Sequence, residues 1–269
     1  MLSIYKNKTI EKMPLLVIGH PGHEIRCHGW MSRQRPRVEV LTSGGGASKL
    51  GRLASTREII EQVGAKLGES LPVFSDHEIY ANLLSQNWEP LAKWTEGLAQ
   101  IIYKEQTDFL LTDMVEGYNT SHDLVACLTA LSVERAALLG WEVKQVFCQP
   151  LEGRPDRAWE GKLSPSITLE LNSEEFSKKM AAAQNYPELA EEVKKALEQN
   201  TAESFRKECF YKPANGRDIL TKLPQPVPFY ETFGELQVSR GKFKEVIRHT
   251  KHLVPFVQKV RSSIGLSQE

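Results

Sequence analysis

Two textures of apolar and polar positions alternate along the chain. Short unbroken apolar runs, such as LLVI within PLLVIGH (14–20) and FLL within DFLLTDMV (108–115), end in turns rich in Gly, His and Asp. Between them, apolar residues recur at three- and four-residue spacing. Short unbroken runs mark strands buried on both faces, and the wider spacing marks the helices that cover them. The pattern predicts strands over 14–20, within 37–46, briefly at 72–74, and over 108–115, 142–150 and 166–171. It predicts a helix over 55–68, with Ser55 or Thr56 as N-cap and Gly68 as its stop. Further helices follow over 79–106, with a break near 88–90, over 121–140, and as a pair punctuated by Pro187 over 173–200. Strand and helix in alternation imply an α/β fold: a Rossmann-like, doubly wound, mostly parallel sheet with helices on both faces.

Toward the C-terminus the texture changes. KLPQPVPF (222–229) holds three prolines and reads as a linker, and a basic helix follows over roughly 241–260, broken or kinked at Pro255. The chain therefore divides into an α/β domain over 1–221 and a Pro-rich linker with a basic helical extension over 222–269. RHTKHLVPFVQKVR reads as a solvated or docking helix, despite His249 and His252.

Composition narrows the class of partner. With 34 basic and 34 acidic residues, bulk charge points to neither nucleic acid nor an anionic membrane surface. No apolar run approaches the roughly 20 residues of a membrane-spanning helix. MLSIYKNKTIEKM lacks the apolar segment of a signal peptide. Cys27, Cys127, Cys148 and Cys209 are widely spaced, with no CxxC pair, which suits reduced thiols. The expectation is a cytoplasmic protein acting on a small molecule, with no nucleic-acid partner and no membrane insertion. Homo-oligomerisation stays open.

In an open α/β sheet, ligands bind beyond the carboxyl ends of the strands. Three loops leave such ends carrying reactive or permissive residues. The first holds His20, His23, Glu24 and His28; the second Thr42, Ser43 and three glycines; the third Asp113, Glu116, Tyr118, Asn119, His122 and Asp123. Neutral imidazole suits Zn2+, and three protein ligands leave a fourth position open for chemistry. His20 and His23 bracket a Pro-Gly turn that can aim both rings at one ion, and His122 completes the set from the start of a helix. His28, five residues beyond His23, reads as a packing or orienting residue. The glycines lack the GxGxxG or GxxxxGK spacing of a nucleotide loop.

These residues bring a family into view. VIGHPGHE, followed by RCHGW, VLTSGG, TREIIEQVGAKLG, EGYNTSHDLV and ESFRKECF, resembles the motif order of the LmbE-like, or PIG-L, deacetylase superfamily over roughly residues 14–211. The resemblance implies a zinc-dependent hydrolase that removes an N-acyl group from an amino sugar or related metabolite. Its zinc ligands fall on His20, His23 and His122, with His23 standing where the family carries the second Asp of His-Pro-Asp-Asp-Glu. The first Asp of that motif, the general base that takes a proton from the attacking water, falls on Gly22. The first His and the Asp of the later His-Pro-Asp-His motif fall on Asn119 and Ser121.

A base must then come from elsewhere. Glu24, Asp113, Glu116 and Asp123 are the candidates, each with a structural alternative: Asp123 suits the first turn of a helix, and Asp113 the capping of a strand-end loop. Ser121 reads as the N-cap of its helix. Arg57, with Lys49 and Arg52 nearby, suits a phosphate or carboxylate on the substrate, or else a solvated helix face. Asn119 and Tyr118 join Arg57 as substrate-binding candidates. Two alternatives stand beside the deacylase: a metal-binding relative that hydrolyses a different C–N or ester bond, and a non-catalytic binding protein in a biosynthetic assembly.

Overall fold

The computed structural model describes residues 12–45, 51–214 and 223–267. Gly46 and Lys49, and the division proposed at 221/222, lie outside the described residues.

The core is a five-stranded sheet in the order β3-β2-β1-β4-β5, built from β1 (Leu15–Ile18), β2 (Arg37–Val40), β3 (Lys66–Leu67), β4 (Phe109–Asp113) and β5 (Gln145–Gln149). All its pairings are parallel, with Val17 opposite Glu39 on one side and Thr112 on the other. Alternation along each strand sends side chains to both faces. Leu15, Val17 and Leu110 pack into one apolar cluster. Leu16, Ile18, Phe109 and Leu111 pack into another across the sheet. The helices over the first face include α3 (Asp76–Ser85), α4 (Glu89–Glu105) and α5 (Thr120–Leu138). Those over the second include α1 (His28–Gln34), α2 (Leu53–Gln62) and α6 (Ser173–Gln184). A Rossmann-like, doubly wound fold is what the alternation predicted, and it is what forms.

Four local readings need correction. The helix expected over 55–68 begins at Leu53, behind Arg52 rather than a Ser or Thr cap, and ends at Gln62. Gly64 takes a positive φ of 72°, which turns the chain so that Lys66–Leu67 can pair with Arg37–Val38 as an edge strand. An antiparallel ribbon joins β6 (Ile167–Glu170) to β7 (Lys207–Phe210), the second of which the apolar pattern did not mark. α7 (Ala190–Gln199) follows the turn at Pro187. The Pro-rich stretch leads directly into α8 (Phe229–Ser239), earlier than the helix predicted from about 241.

The last helix, α9 (Val254–Ser263), carries Pro255 in its first turn, directly after a π-helical turn over His249–Leu253, so the helical path changes character at the expected proline. A proline in the first turn gives up an N–H that has no helical partner anyway. Leu253, Phe256, Val257, Val260 and Ile264 sit in the same cluster as Leu15 and Val17, so this helix is docked, not solvated. His249 and His252 are buried with it, the first against the Tyr230 hydroxyl at 2.9 Å. Among the described residues, no helix is long and apolar enough to cross a membrane. All four cysteines are buried free thiols.

Candidate metal centre

β1 lies at the centre of the sheet, with β2 on one side and β4 on the other. The chain leaves β1 in one direction and returns through β4 in the other, so a crevice opens between their carboxyl ends. Both loops rich in histidine and carboxylate leave from there. The β1 loop turns through Gly22 (φ 104°) into a short 3-10 turn, His23–Cys27. The β4 loop leads to α5, whose N-cap is Asn119, its side-chain oxygen accepting from the Ser121 N–H at 2.8 Å. The cap is thus Asn119 rather than Ser121. Its position places His122 in the first turn, facing the β1 loop.

His20, His23 and His122 converge. Their ring centroids lie 5.3, 4.9 and 4.4 Å apart, and one nitrogen of each lies within 4.8 Å of the others. A shared tetrahedral zinc with 2.0–2.1 Å bonds needs about 3.4 Å between nitrogens, against separations of up to 4.8 Å here. The donor set fits such an ion. His20 Nδ1 and His122 Nδ1 are buried without a hydrogen-bond partner. Burial, reinforced by the neighbouring imidazoles, holds His23 and His122 well below the ordinary histidine range, so both rings stay neutral and able to donate a lone pair.

Two carboxylates orient the cluster from behind. His23 Nδ1 contacts Asp113 Oδ2 at 2.7 Å, and His20 Nε2 contacts Asp76 Oδ1 at 2.7 Å. A histidine that gives its N–H to a carboxylate has its tautomer set, with the other nitrogen aimed forward. Asp113 Oδ2 also accepts from the Gly19 N–H at 2.7 Å, which locks the ends of β1 and β4 together. Burial raises Asp113 to about 7 against the pull of that N–H and of His20. Asp76 was not among the candidates. Its signal was the Ser75-x-x-Glu78 capping box directly after the brief strand at 72–74, which announces a helix start at a strand end. Phe74 does bridge to Thr42 in parallel, so this helix begins on the same edge of the sheet as the other loops.

The other carboxylates hold backbone. Glu24 is fully buried; its oxygens accept from the Gly22 N–H and the Thr56 hydroxyl, both at 2.7 Å, and burial raises it to about 7. Asp123 accepts from the N–H groups of Glu116 and Gly117 at 3.0 and 3.2 Å. Glu116 accepts from the Leu151 N–H at 2.8 Å, and burial pushes it up to about 8. Arg57 pairs with Glu69 at 2.9 Å on the surface, and Arg52 with Glu192 at 3.3 Å. Tyr118 is 37% exposed and stacks on Phe229. His28 is buried at the start of α1, outside the cluster of three.

Gly22 occupies a left-handed turn that disfavours any side chain. A Cβ built there would run into the Leu189 side chain, and the N–H of Gly22 is shared between Glu24 and Thr56. The turn before α7 therefore occupies the space that a side chain would need.

No family model and no curated protein matches the chain. Solved structures similar to it include two deacetylases. One is the crystal structure of the antimicrobial reagent A40926 pseudoaglycone deacetylase Dbv21, with a TM-score of 0.46 and 16% identity, covering 71% of this chain and 86% of that one. The other is the zinc inhibited form of teicoplanin deacetylase Orf2, with a TM-score of 0.40 and 8% identity, covering 85% of this chain and 94% of that one. The α/β fold itself rests on the chain's own five-stranded parallel sheet.

Proposed function

We propose that this chain is a zinc-dependent deacylase that removes an N-acyl group from an amino sugar or related small metabolite. The observation that carries the reading is the convergence of His20, His23 and His122 at the sheet's switch point, two of them backed by carboxylates. Three neutral imidazoles would hold the ion, and an ion so held supplies Lewis-acid polarisation of an acyl carbonyl and makes nearby water more acidic. The resemblance to the LmbE-like superfamily supports the same ligand set.

The chain's own residues set the rest. Asp113 is the base candidate that touches the cluster, while Glu24, Glu116 and Asp123 each hold backbone or neighbouring hydroxyl groups. In this reading Asp113 Oδ2 accepts the His23 Nδ1–H, which leaves His23 Nε2 for the ion, and the second carboxylate oxygen, Oδ1, which has no hydrogen-bond partner, would take the proton of an attacking water directly, the role left empty at Gly22. Asp76 keeps His20 in the tautomer that leaves Nδ1 forward. The four free thiols suit a reducing, cytoplasmic setting.

A second reading, a non-catalytic descendant that retains the metal, is favoured by one observation: Leu189 fills the space beside Gly22. The two separate in one experiment. Protein loaded with zinc is incubated with N-acetylated sugars and nucleotide sugars, and acetate release is measured for wild type and His122→Ala. Release lost in the variant supports the deacylase. Stoichiometric zinc with no release from any substrate supports the binding protein.

A further inference from the structure

α8 is built inside out. Its buried residues are Tyr230, Gly234 and Gln237, spaced i, i+4 and i+7 along the face that packs on the protein. The approach is close: a Cβ on Gly234 would come within 2.9 Å of the Val246 side chain. The opposite face carries Phe229, Phe233 and Leu236 at the same spacing, and they are 44–48% exposed. A helix with one wet face ordinarily turns its larger apolar side chains inward and its glycine and glutamine outward. The reverse order leaves apolar surface that the folding of a single chain does not use.

This outer face continues beyond the helix. Tyr118 stacks on Phe229 at 5.0 Å, Phe229 on Phe233 at 5.9 Å, and Phe243 meets Phe233 edge-on at 6.4 Å. With Val227 and Leu236 the stripe exposes on the order of 500 Å² of apolar surface, since each member is roughly half exposed. A standard protein–protein interface covers about 800 Å² on each partner, somewhat over half of it apolar. The stripe supplies the apolar share of one such interface.

The charges at its two ends identify the partner. Past the C-terminal end of α8 stand Arg240, Lys242 and Lys244, all exposed. Among the described residues none of the three makes an ion pair, whereas Arg248 is paired with Glu231 and Glu235, and Lys251 with Glu245. At the other end Tyr118 and Phe229 line a cleft of about 670 Å³. On its rim the exposed Glu152 and Glu160, likewise without an ion pair among the described residues, outnumber the unpaired Arg157. One end of the stripe is basic, the other acidic, and the middle aromatic. Such a surface complements its own copy turned about a twofold axis. With the axis at Phe233, Arg240 lies seven residues, or about 10 Å, along the helix on one side. Tyr118, on the cleft, is reached in ring steps of 5.9 and 5.0 Å on the other. An anionic lipid surface would satisfy the basic end and oppose the acidic one.

We propose that the chain forms an isologous homodimer through the outer face of α8, with the two helices antiparallel. Arg240 and Lys242 of each copy are then set against Glu152 and Glu160 of the other. α8 lies beyond the residues that carry the superfamily resemblance, yet it is joined to the metal centre. The Phe229 N–H donates to the Gly117 carbonyl at 2.7 Å, and the Gly117 N–H is held by Asp123, next to His122. The dimer contact would buttress the loop that delivers His122.

Sedimentation velocity and light scattering on the full chain test the proposal. Wild type is expected at twice the 30.4 kDa chain mass at micromolar concentration. Phe233→Glu, at the centre, should raise the dimer dissociation constant at least about thirtyfold, the scale of a central hot spot. Tyr103→Glu, a comparably exposed ring on α4, should leave it unchanged. Arg240→Glu with Lys242→Glu should weaken the dimer about tenfold, and adding Glu152→Lys with Glu160→Lys should restore it. Circular dichroism melts confirm that the variants fold. A wild-type monomer at up to roughly 100 μM overturns the proposal, as does a dimer that Phe233→Glu leaves intact. A charge reversal that the reversed rim fails to rescue overturns the antiparallel arrangement. The last arm uses vesicles of phosphatidylcholine with phosphatidylserine. Monomer that sediments with them, and no longer does so as Phe233→Glu, assigns the face to a lipid surface and overturns the dimer.

Discussion

Leu189 stands against Gly22. The two are brought together by the turn between α6 and α7, far from the β1 loop in sequence, and they meet where a Cβ on Gly22 would point. The contact gives a physical reason for glycine at a position where the resembled superfamily carries its base. Gly22→Asp should therefore destabilise the protein rather than restore a base. A side chain at φ 104° costs about 1–2 kcal/mol, and overpacking against Leu189 adds roughly 1–3. Thermal melts of Gly22→Asp and of Gly22→Asp/Leu189→Ala check this. The double variant should recover the overpacking share only, and a single variant as stable as wild type would show that the turn yields freely.

Asp76 and His20 form the least anticipated contact of the cluster, at 2.7 Å. Asp76→Asn should lower zinc affinity about 10–100-fold, the usual cost of losing a carboxylate behind a metal-binding histidine. Chelator competition measures it, with His20→Ala as the reference for outright ligand loss. Equal affinity in Asp76→Asn and wild type would mean that His20 is oriented by something else.

Asp113 differs from the other base candidates because its carboxylate touches His23. Asp113→Asn should lower zinc affinity about 10–100-fold, as for Asp76, and with zinc in saturating excess should still lower kcat by about 10²–10⁴, the range for losing general acid–base assistance. Metal content by mass spectrometry, read beside kcat, separates this from loss of the ion. A variant with normal kcat would return the base to one of the remaining carboxylates.

Glu116 gives the fold a pH dependence. Burial beside the backbone of residues 151–152, with Glu152 adding repulsion and Arg26 opposing it, raises its carboxyl from 4.5 to about 8. Between those values the native state holds a proton that the unfolded chain has released. The contribution to stability is therefore complete below pH 4.5 and is lost as the pH rises through about 8. Glu116→Gln should remove this slope. In melts at pH 5 and 8 its Tm should fall less than that of wild type, and linkage bounds the Glu116 share at about 1.4 kcal/mol per pH unit across that window.

Phe256 tests whether the last helix belongs to the core. It is fully buried in the cluster that contains Leu15 and Trp94. Phe256→Ala should cost about 3–5 kcal/mol, as large-to-small changes of aromatic core residues do. Denaturant titration measures it. A cost below about 1 kcal/mol would mean that the helix docks without supporting the sheet.

By itself, the sequence determined whatever local periodicity and strand-end chemistry can carry. LLVI and FLLTD, short runs followed by Gly, His and Asp, read as strands buried on both faces, and the loops leaving them deliver His20, His23 and His122 to one edge because parallel strands end together. The tertiary structure alone decided who stands behind and beside those residues. Asp76 reaches His20 from a helix 56 positions away, and Leu189 closes on Gly22 from beyond the sheet. β7 is a strand because β6 offers it a ladder, and α9 is buried because the face formed by Leu15, Val17 and Leu110 needs a cover. Those relationships depend on which surfaces meet, and a pattern read over a window of a dozen residues has no access to the partner. For the same reason the carboxylates that look alike in sequence differ in place: Asp113 touches an imidazole, while Glu24, Glu116 and Asp123 bind the backbone that holds it.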